Sequence, residues 1–152
     1  MPEAWRIVKE KHAATAFSGE GAAKTGGRWN SRGVAVVYTS GTKSLAALEN
    51  LVHLNPPVLF KYVAIHIEFE DTLVEKVALK TLANDWQAEP PPPSTKQLGD
   101  AWVREARSAI LALPSVIVSS ELNFLLNPAH TDFRKITIGK PERFAFDPRL
   151  LT

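Results

Sequence analysis

The chain has 152 residues, no cysteine, a formal net charge of +2 and an isoelectric point near 9.0. That length is most simply one domain spanning residues 1–152, able to bury about 70% of its unfolded surface, and 45% hydrophobic with 22% charged residues are ordinary globular values. The absence of cysteine excludes disulfides and thiolate chemistry; no apolar run approaches the roughly 18 residues of a membrane span, and the dispersed Lys and Arg argue against nucleic-acid binding.

In chain order, the N-terminus MPEAWRIVKEKH has no apolar signal core, so a cytoplasmic protein is expected. Trp5 to Val8 reads as a first strand carrying Arg6, a charge that normally marks a solvated strand face. His12 to Asn30 reads as a long loop rich in Gly, Ala and Ser. Its glycines invite a nucleotide motif, yet Lys24 stands where GxGxxG needs its third Gly, and Gly27 follows Gly26 where a P-loop needs Lys. What remains is Gly26-Gly27-Arg28-Trp29-Asn30. Two glycines permit close approach of a ligand to the main chain, and Arg28 can present a planar fork to phosphate or carboxylate. The plainer alternative is a tight turn with Trp29 as a core plug and Arg28 solvated.

Val34 to Thr39 is a near-continuous apolar run, the pattern of a strand covered on both faces. Tyr38 near its end can keep its ring buried and its hydroxyl wet. Ser40-Gly41-Thr42 then turns into a helix from about Lys43 to Leu54, with Leu45, Leu48, Leu51 and Val52 as the core stripe. Glu49 lies at the stripe's border, either exposed and paired with His53 or aimed into a cleft beside the core. Asn55-Pro56-Pro57 stops the helix, and Val58 to Phe69 alternates as a long strand with one buried face.

A short element is expected within Val74 to Ala83. The four prolines between Glu89 and Ser94 read as a stiff connector. Ser94 to Gln97 has the capping-box pattern, and Leu98, Trp102, Ala106, Ala109, Ile110 and Leu113 continue as one amphipathic helix to Pro114, with Asp100, Arg104 and Arg107 outward. Ser115 to Ser119 reads as a short buried strand, followed by NFLLNP from Asn123 to Pro128 and closing strands at Arg134–Ile138 and Arg143–Phe146.

The four histidines are scattered with no HExxH, so no metal site is expected. No GxSxG elbow surrounds a serine, and Glu49 has no evident partner carboxylate for a retaining glycosidase. An Arg, a Tyr and a Glu around a Gly-rich loop are compatible with cleavage at a ribosyl carbon bearing a good leaving group. There a carboxylate stabilises an oxocarbenium-like state and an arginine holds a pyrophosphate.

WRI, GGRWNSRGVAVVYTS, SLAALENLVHL, LPSVIV and NFLLNPAHTDF, in that order and over nearly the whole chain, resemble the RES domain, the toxin component of bacterial Xre–RES toxin–antitoxin pairs. The resemblance implies that the family's Arg, Glu and Ser correspond to Arg28, Glu49 and Ser115, its active-site tyrosine to Tyr38 and a second pocket arginine to Arg6. The family's turn after the serine strand usually contains proline, where this chain has Ser119-Ser120, so Ser119 is the second choice for the ligand-facing serine. The implied fold is a compact α/β domain with a split mixed sheet, similar to ADP-ribosyltransferases. The implied activity is destruction of NAD as substrate, without metal, by phosphorolysis or hydrolysis at the nicotinamide–ribose bond. ADP-ribosylation of a metabolic enzyme is the first alternative, and a non-catalytic nucleotide-binding module the second. The implied partner is an Xre-like DNA-binding antitoxin, with inorganic phosphate as a candidate acceptor.

Overall fold

The computed structural model describes residues 2–53 and 60–151. The expected helix end at Leu54, the Asn55-Pro56-Pro57 stop and the strand start at Val58 and Leu59 lie outside them. The remaining chain folds as one mixed sheet with helices, the α/β class anticipated from the resemblance. Its strands are β1 (Glu3–Lys9), β2 (Val37–Ser40), β3 (Tyr62–Glu68), β4 (Val74–Lys76), β5 (Ile110–Pro114), β6 (Leu122–Leu126), β7 (Thr137–Ile138) and β8 (Glu142–Phe144). The order is β4-β5-β6-β2-β1-β3-β7, with β8 also pairing β3. Only β4 and β5 run parallel; the other pairings are antiparallel.

The helices are α1 (Glu20–Thr25), α2 (Lys43–Leu51) and α3 (Pro93–Arg104). Two of them pack on one sheet face. Trp29 and Trp102 of α3 meet Leu111, Leu113 and Leu125, while Ala46 of α2 meets Ile7, Tyr62 and Ala64. The other face buries Val37, Ile67, Phe69, Ile110, Phe124 and Leu126. With both faces covered, Tyr62 to Ile65 are all buried, so β3 lacks the half-exposed alternation expected of it.

The sheet opens between β1 and β2. Only Trp5 and Ser40 are in register across that boundary, against four pairs between β2 and β6 and seven between β1 and β3. This is the split expected from the resemblance.

Several elements differ from the sequence reading, among them the closing strand expected at Arg134–Ile138, which is reduced to Thr137–Ile138 after a 3-10 turn over Thr131–Lys135. The 12–30 segment is not all loop, because residues 20–25 form α1 after Gly19, which takes φ 80°. The strand expected at Val34–Thr39 is shorter and later, Val37–Ser40. The capping box does not form: Pro92 is the N-cap residue and Pro93 opens α3, since proline at the first helical position needs no N–H partner. Ser94 instead donates to Asp85 at 2.7 Å. Finally, α3 stops at Arg104, and Ala106 with φ 49° turns the chain back. Ile110–Pro114 is therefore a fully buried strand and residues after Ser115 a turn. A short wholly apolar run has no periodicity to separate helix from strand.

On α2, Thr42 caps the first turn by accepting from the Leu45 N–H at 3.0 Å. The buried face is rotated from the expected stripe: Leu45 and Ala46 are buried, while Leu48 and Val52 are 40% and 60% exposed. Small Ala46 lets the helix lie close to β1, and Asn50 donates to the Ile7 carbonyl at 3.3 Å. Glu49 is thereby turned inward rather than left at the rim.

Close approach also fixes α3, where a Cβ on Gly99 would run into the Trp29 carbonyl. Gly→Ala in an open helix gains about 1 kcal/mol. Gly99→Ala is expected to lose about 2 kcal/mol instead, because the clash is with backbone. Gly21→Ala in α1, with nothing within 4 Å, is expected to gain about 0.5 kcal/mol. Urea unfolding midpoints of the two variants check the opposite signs.

Candidate active site

The Gly26–Asn30 loop is a tight turn clamped from three directions. Gly26 takes φ 72°, a conformation that disfavours a side chain, and the Gly27 N–H bonds the Asn30 carbonyl at 3.0 Å. Asn30 is wholly buried, its amide nitrogen donating to the Ala22 and Val34 carbonyls at 2.9 and 3.0 Å. From α3, Lys96 Nζ reaches the Gly27 carbonyl at 2.6 Å, and Asp100 accepts from the Ser31 N–H at 2.9 Å. Asp100 therefore does not point outward as its place in the helical pattern suggested.

The Tyr38 hydroxyl closes this loop from β2. It donates to Asn30 Oδ1 at 2.6 Å and accepts from the Trp29 N–H at 3.1 Å. A Cβ on Gly27 would lie 2.6 Å from that hydroxyl, so glycine is required there. Burial raises the Tyr38 pKa well above that of a free phenol, and the group stays neutral. The wet hydroxyl expected from sequence is thus an internal one, and Trp29, 3% exposed, is the core plug of the plainer alternative.

Arg28 is neither solvated nor free. Its Nη1 donates to the Trp86 and Ala88 carbonyls at 3.1 and 2.7 Å, and its Nη2 pairs with Glu89 at 2.8 Å. The guanidinium is mostly enclosed, whereas the Glu89 side chain is 74% exposed. The arginine thus anchors the segment leading into the prolines. Arg6 sits in the β1–β2 opening, donating through Nε to the Ala16 carbonyl at 2.6 Å and through Nη1 to the Tyr38 carbonyl at 2.9 Å. Burial lowers its pKa to about 10.

Glu49 and Ser115, 66 residues apart, meet directly. Ser115 Oγ donates to Glu49 Oε2 at 2.8 Å, and Asn123 Nδ2 donates to the same oxygen at 2.6 Å. Asn123 in turn accepts from Ser40 Oγ at 2.8 Å. Glu49 bonds these two residues rather than His53, which is exposed. Ser115 is fully buried, whereas Ser119 is exposed in the following turn and does not join the cluster. The two clusters share β2: Tyr38 and Ser40, two residues apart, stand on one face of it.

Asn123, Ser40, Asn30, Lys96 and Asp100 belong to this arrangement and were not singled out from sequence. Asn123 alone left a trace, as a polar residue within the apolar run of NFLLNP. A surface depression of about 450 Å³ lined by Ala13, Phe17, Ile65 and Ile138 contains none of these site residues.

Residues 3–147 match the RES domain family model. A protein named "Prs ADP-ribosylating toxin" from Sphingobium sp. (strain YBL2) is 39% identical over 153 residues, covering 97% of this chain and 95% of the relative. "Toxin Res" of Yersinia enterocolitica is 37% identical over 148 residues, covering 96% and 97%. Among solved structures, the Mycobacterium tuberculosis MbcT–MbcA toxin–antitoxin complex contains a chain that superposes with a TM-score of 0.76. At 16% identity, the match covers 98% of this chain and 86% of that one; a likeness at this identity concerns the fold.

Tyr38→Phe removes a hydroxyl that satisfies both the Trp29 N–H and Asn30 Oδ1. Leaving those buried groups unpaired is expected to cost about 1–3 kcal/mol. Thermal unfolding of the variant against wild type measures it, and amide exchange at Trp29 should accelerate with it.

Proposed function

The chain belongs to the RES domain family, and on that premise we propose that it is the toxin of a bacterial toxin–antitoxin pair and cleaves NAD at the nicotinamide–ribose bond. The observation that carries the reading is Glu49, whose Oε2 is held by Ser115 and Asn123. Its Oε1 has no bonding partner among the described residues. A carboxylate fixed by one oxygen presents the other to a ligand without reorganising, which is what stabilising a developing cation requires.

In this reading the C1′–N bond breaks with its electron pair leaving on nicotinamide. Glu49 Oε1 binds a ribose hydroxyl and stabilises the oxocarbenium-like ribosyl group. An acceptor oxygen then bonds C1′ and releases its proton to solvent. Arg28 binds the diphosphate by exchanging Glu89 for it, since a doubly charged diphosphate outcompetes one exposed carboxylate for the fork. Arg6, with two donors on main-chain carbonyls, holds the opening in shape. The partner is a cognate Xre-like antitoxin, to which exposed Leu48 on α2 and Val52 just past its end offer apolar surface.

The acceptor divides two readings. Water or phosphate makes the protein an NAD-degrading enzyme, the first choice because nothing beyond the ribosyl site is needed. A protein acceptor makes it an ADP-ribosyltransferase, which the name of the Sphingobium relative favours.

NAD followed over time, with and without phosphate, tests the first reading. Glu49→Gln is expected to lower kcat by about a hundredfold or more, the scale for removing one preorganised electrostatic group. An unchanged rate sinks the assignment. Labelled NAD incubated with lysate tests the second: label fixed to one protein band favours transfer. Binding of NAD without turnover in either assay would leave a non-catalytic module.

Glu89→Gln supplies a separate check on Arg28. An exposed ion pair contributes at most about 1 kcal/mol, so KM for NAD is expected to fall about two- to fivefold with kcat unchanged. Arg28→Ala should raise KM instead. Steady-state kinetics of both variants decide whether the fork is shared between Glu89 and substrate.

A further inference from the structure

We infer that Asn123 is a positioning residue for Glu49, fixing which carboxylate oxygen faces the substrate; the inference rests on the NAD-cleaving reading above. Its basis is how the two groups that donate to Glu49 Oε2 are themselves held. Ser115 Oγ accepts from the Ile117 and Val118 N–H groups, both at 3.1 Å. A hydroxyl has two acceptor lone pairs and one proton, so these two donors leave the proton a single direction, to Glu49 Oε2 at 2.8 Å.

Asn123 completes the hold from the opposite strand. Its amide could in principle be turned either way, but the reversed orientation would set Oδ1 against a carboxylate oxygen, acceptor against acceptor. Nδ2 therefore faces Glu49 at 2.6 Å, and Oδ1 takes the Ser40 proton at 2.8 Å. Ser40 is itself buried. Asn123 pairs with Ser40 of β2 on one side and Leu113 of β5 on the other, so its Cα is fixed by the middle of the sheet.

A glutamate on a helix has three side-chain torsions, and Ser115 alone leaves the carboxylate free to swing about one hydrogen bond. The second bond from a different strand removes that rotation. Oε2 is thereby saturated and Oε1 is left as the acceptor for a ligand. Asn123 gives one N–H to Glu49 and takes the Ser40 proton on Oδ1, so the role inferred for it is exerted through Glu49.

The test uses the full-length protein with three substitutions. Asn123→Leu removes the donor at similar size; loss of a hydrogen bond to a charged group is expected to lower kcat about tenfold to a hundredfold with KM within about twofold of wild type. Ser40→Ala leaves the donor but frees the amide, and should lower kcat in the same direction by less. Asn123→Asp puts a second carboxylate against the first. A like charge disfavours ionisation, so the acid limb of the kcat profile is expected to move to higher pH by about one unit or more.

A merely structural asparagine would not move that limb. Carboxyl carbon NMR of Glu49 in wild type and Asn123→Asp reads the same contact without turnover. Variants that fold and keep wild-type kcat, pH profile and Glu49 titration overturn the inference while the function stands. Wild-type protein that neither consumes NAD nor labels an acceptor overturns the function, and an unshifted Glu49 titration then overturns the Asn123 contact separately.

Discussion

The Tyr38 carbonyl lies in a central strand, yet its partner is the Arg6 guanidinium rather than a neighbouring strand. A buried main-chain oxygen has to be bonded to something, and a side chain inserted from β1 lets β1 and β2 diverge after Trp5 and Ser40 without leaving that oxygen unpaired. The same guanidinium ties Ala16, and with it the segment crossing the far face, to the opening. A charge held this way is expensive, as its lowered pKa records. Its removal would leave the Ala16 and Tyr38 carbonyls without that donor.

Around this opening the protein uses polar contacts between distant segments to hold functional groups still. The Gly26–Asn30 loop buries Trp29 in the core, and Lys96 and Asp100 of α3, the Tyr38 hydroxyl and the Asn30 amide fix its backbone. Glu49 is fixed by Ser115 and Asn123. Glycine appears where contact is too close for any Cβ: Gly27 beneath Tyr38 and Gly99 beneath Trp29. Tryptophan fills the space behind the loop, with Trp29, Trp86 and Trp102 in one cluster. Rigidity at the loop is thus shared between its own Trp29 and Asn30 and the neighbouring elements that grip its backbone.

What the sequence disclosed follows the range of the interaction. Elements set by local pattern were legible, including β1, α2 after the Ser40-Gly41-Thr42 turn, and the approximate start of α3 though not its cap. Arg28, Tyr38 and Glu49 stood out as residue types and through the family resemblance, and Ser115 through the resemblance alone, but what each of them bonds was not legible. The helix–strand boundary at 104–110 was not legible, because Ile110–Leu113 is apolar throughout and Ala106 carries no turn signal. The facing of α2 was misjudged because a helical wheel counts leucines, whereas the sheet accepted Ala46 and turned Leu48 and Val52 outward. Asn123 and Glu89 were missed as partners because nothing local marks a residue that will meet another 60 or more positions away.

That separation bears on when the protein becomes active during its own synthesis. Glu49 and Asn123 are 74 residues apart in the chain. Strand β6, which carries Asn123, is also the strand that fills the place between β2 and β5. Until it has left the ribosome, β2 has an open edge and Glu49 has no second restraint. A nascent chain that stops short of β6 therefore carries every residue of the loop, the phenol and the carboxylate, yet lacks the contact from Asn123 that holds Glu49. For a toxin made inside the cell it harms, this topology withholds the fully restrained carboxylate until β6 has emerged and taken its place between β2 and β5.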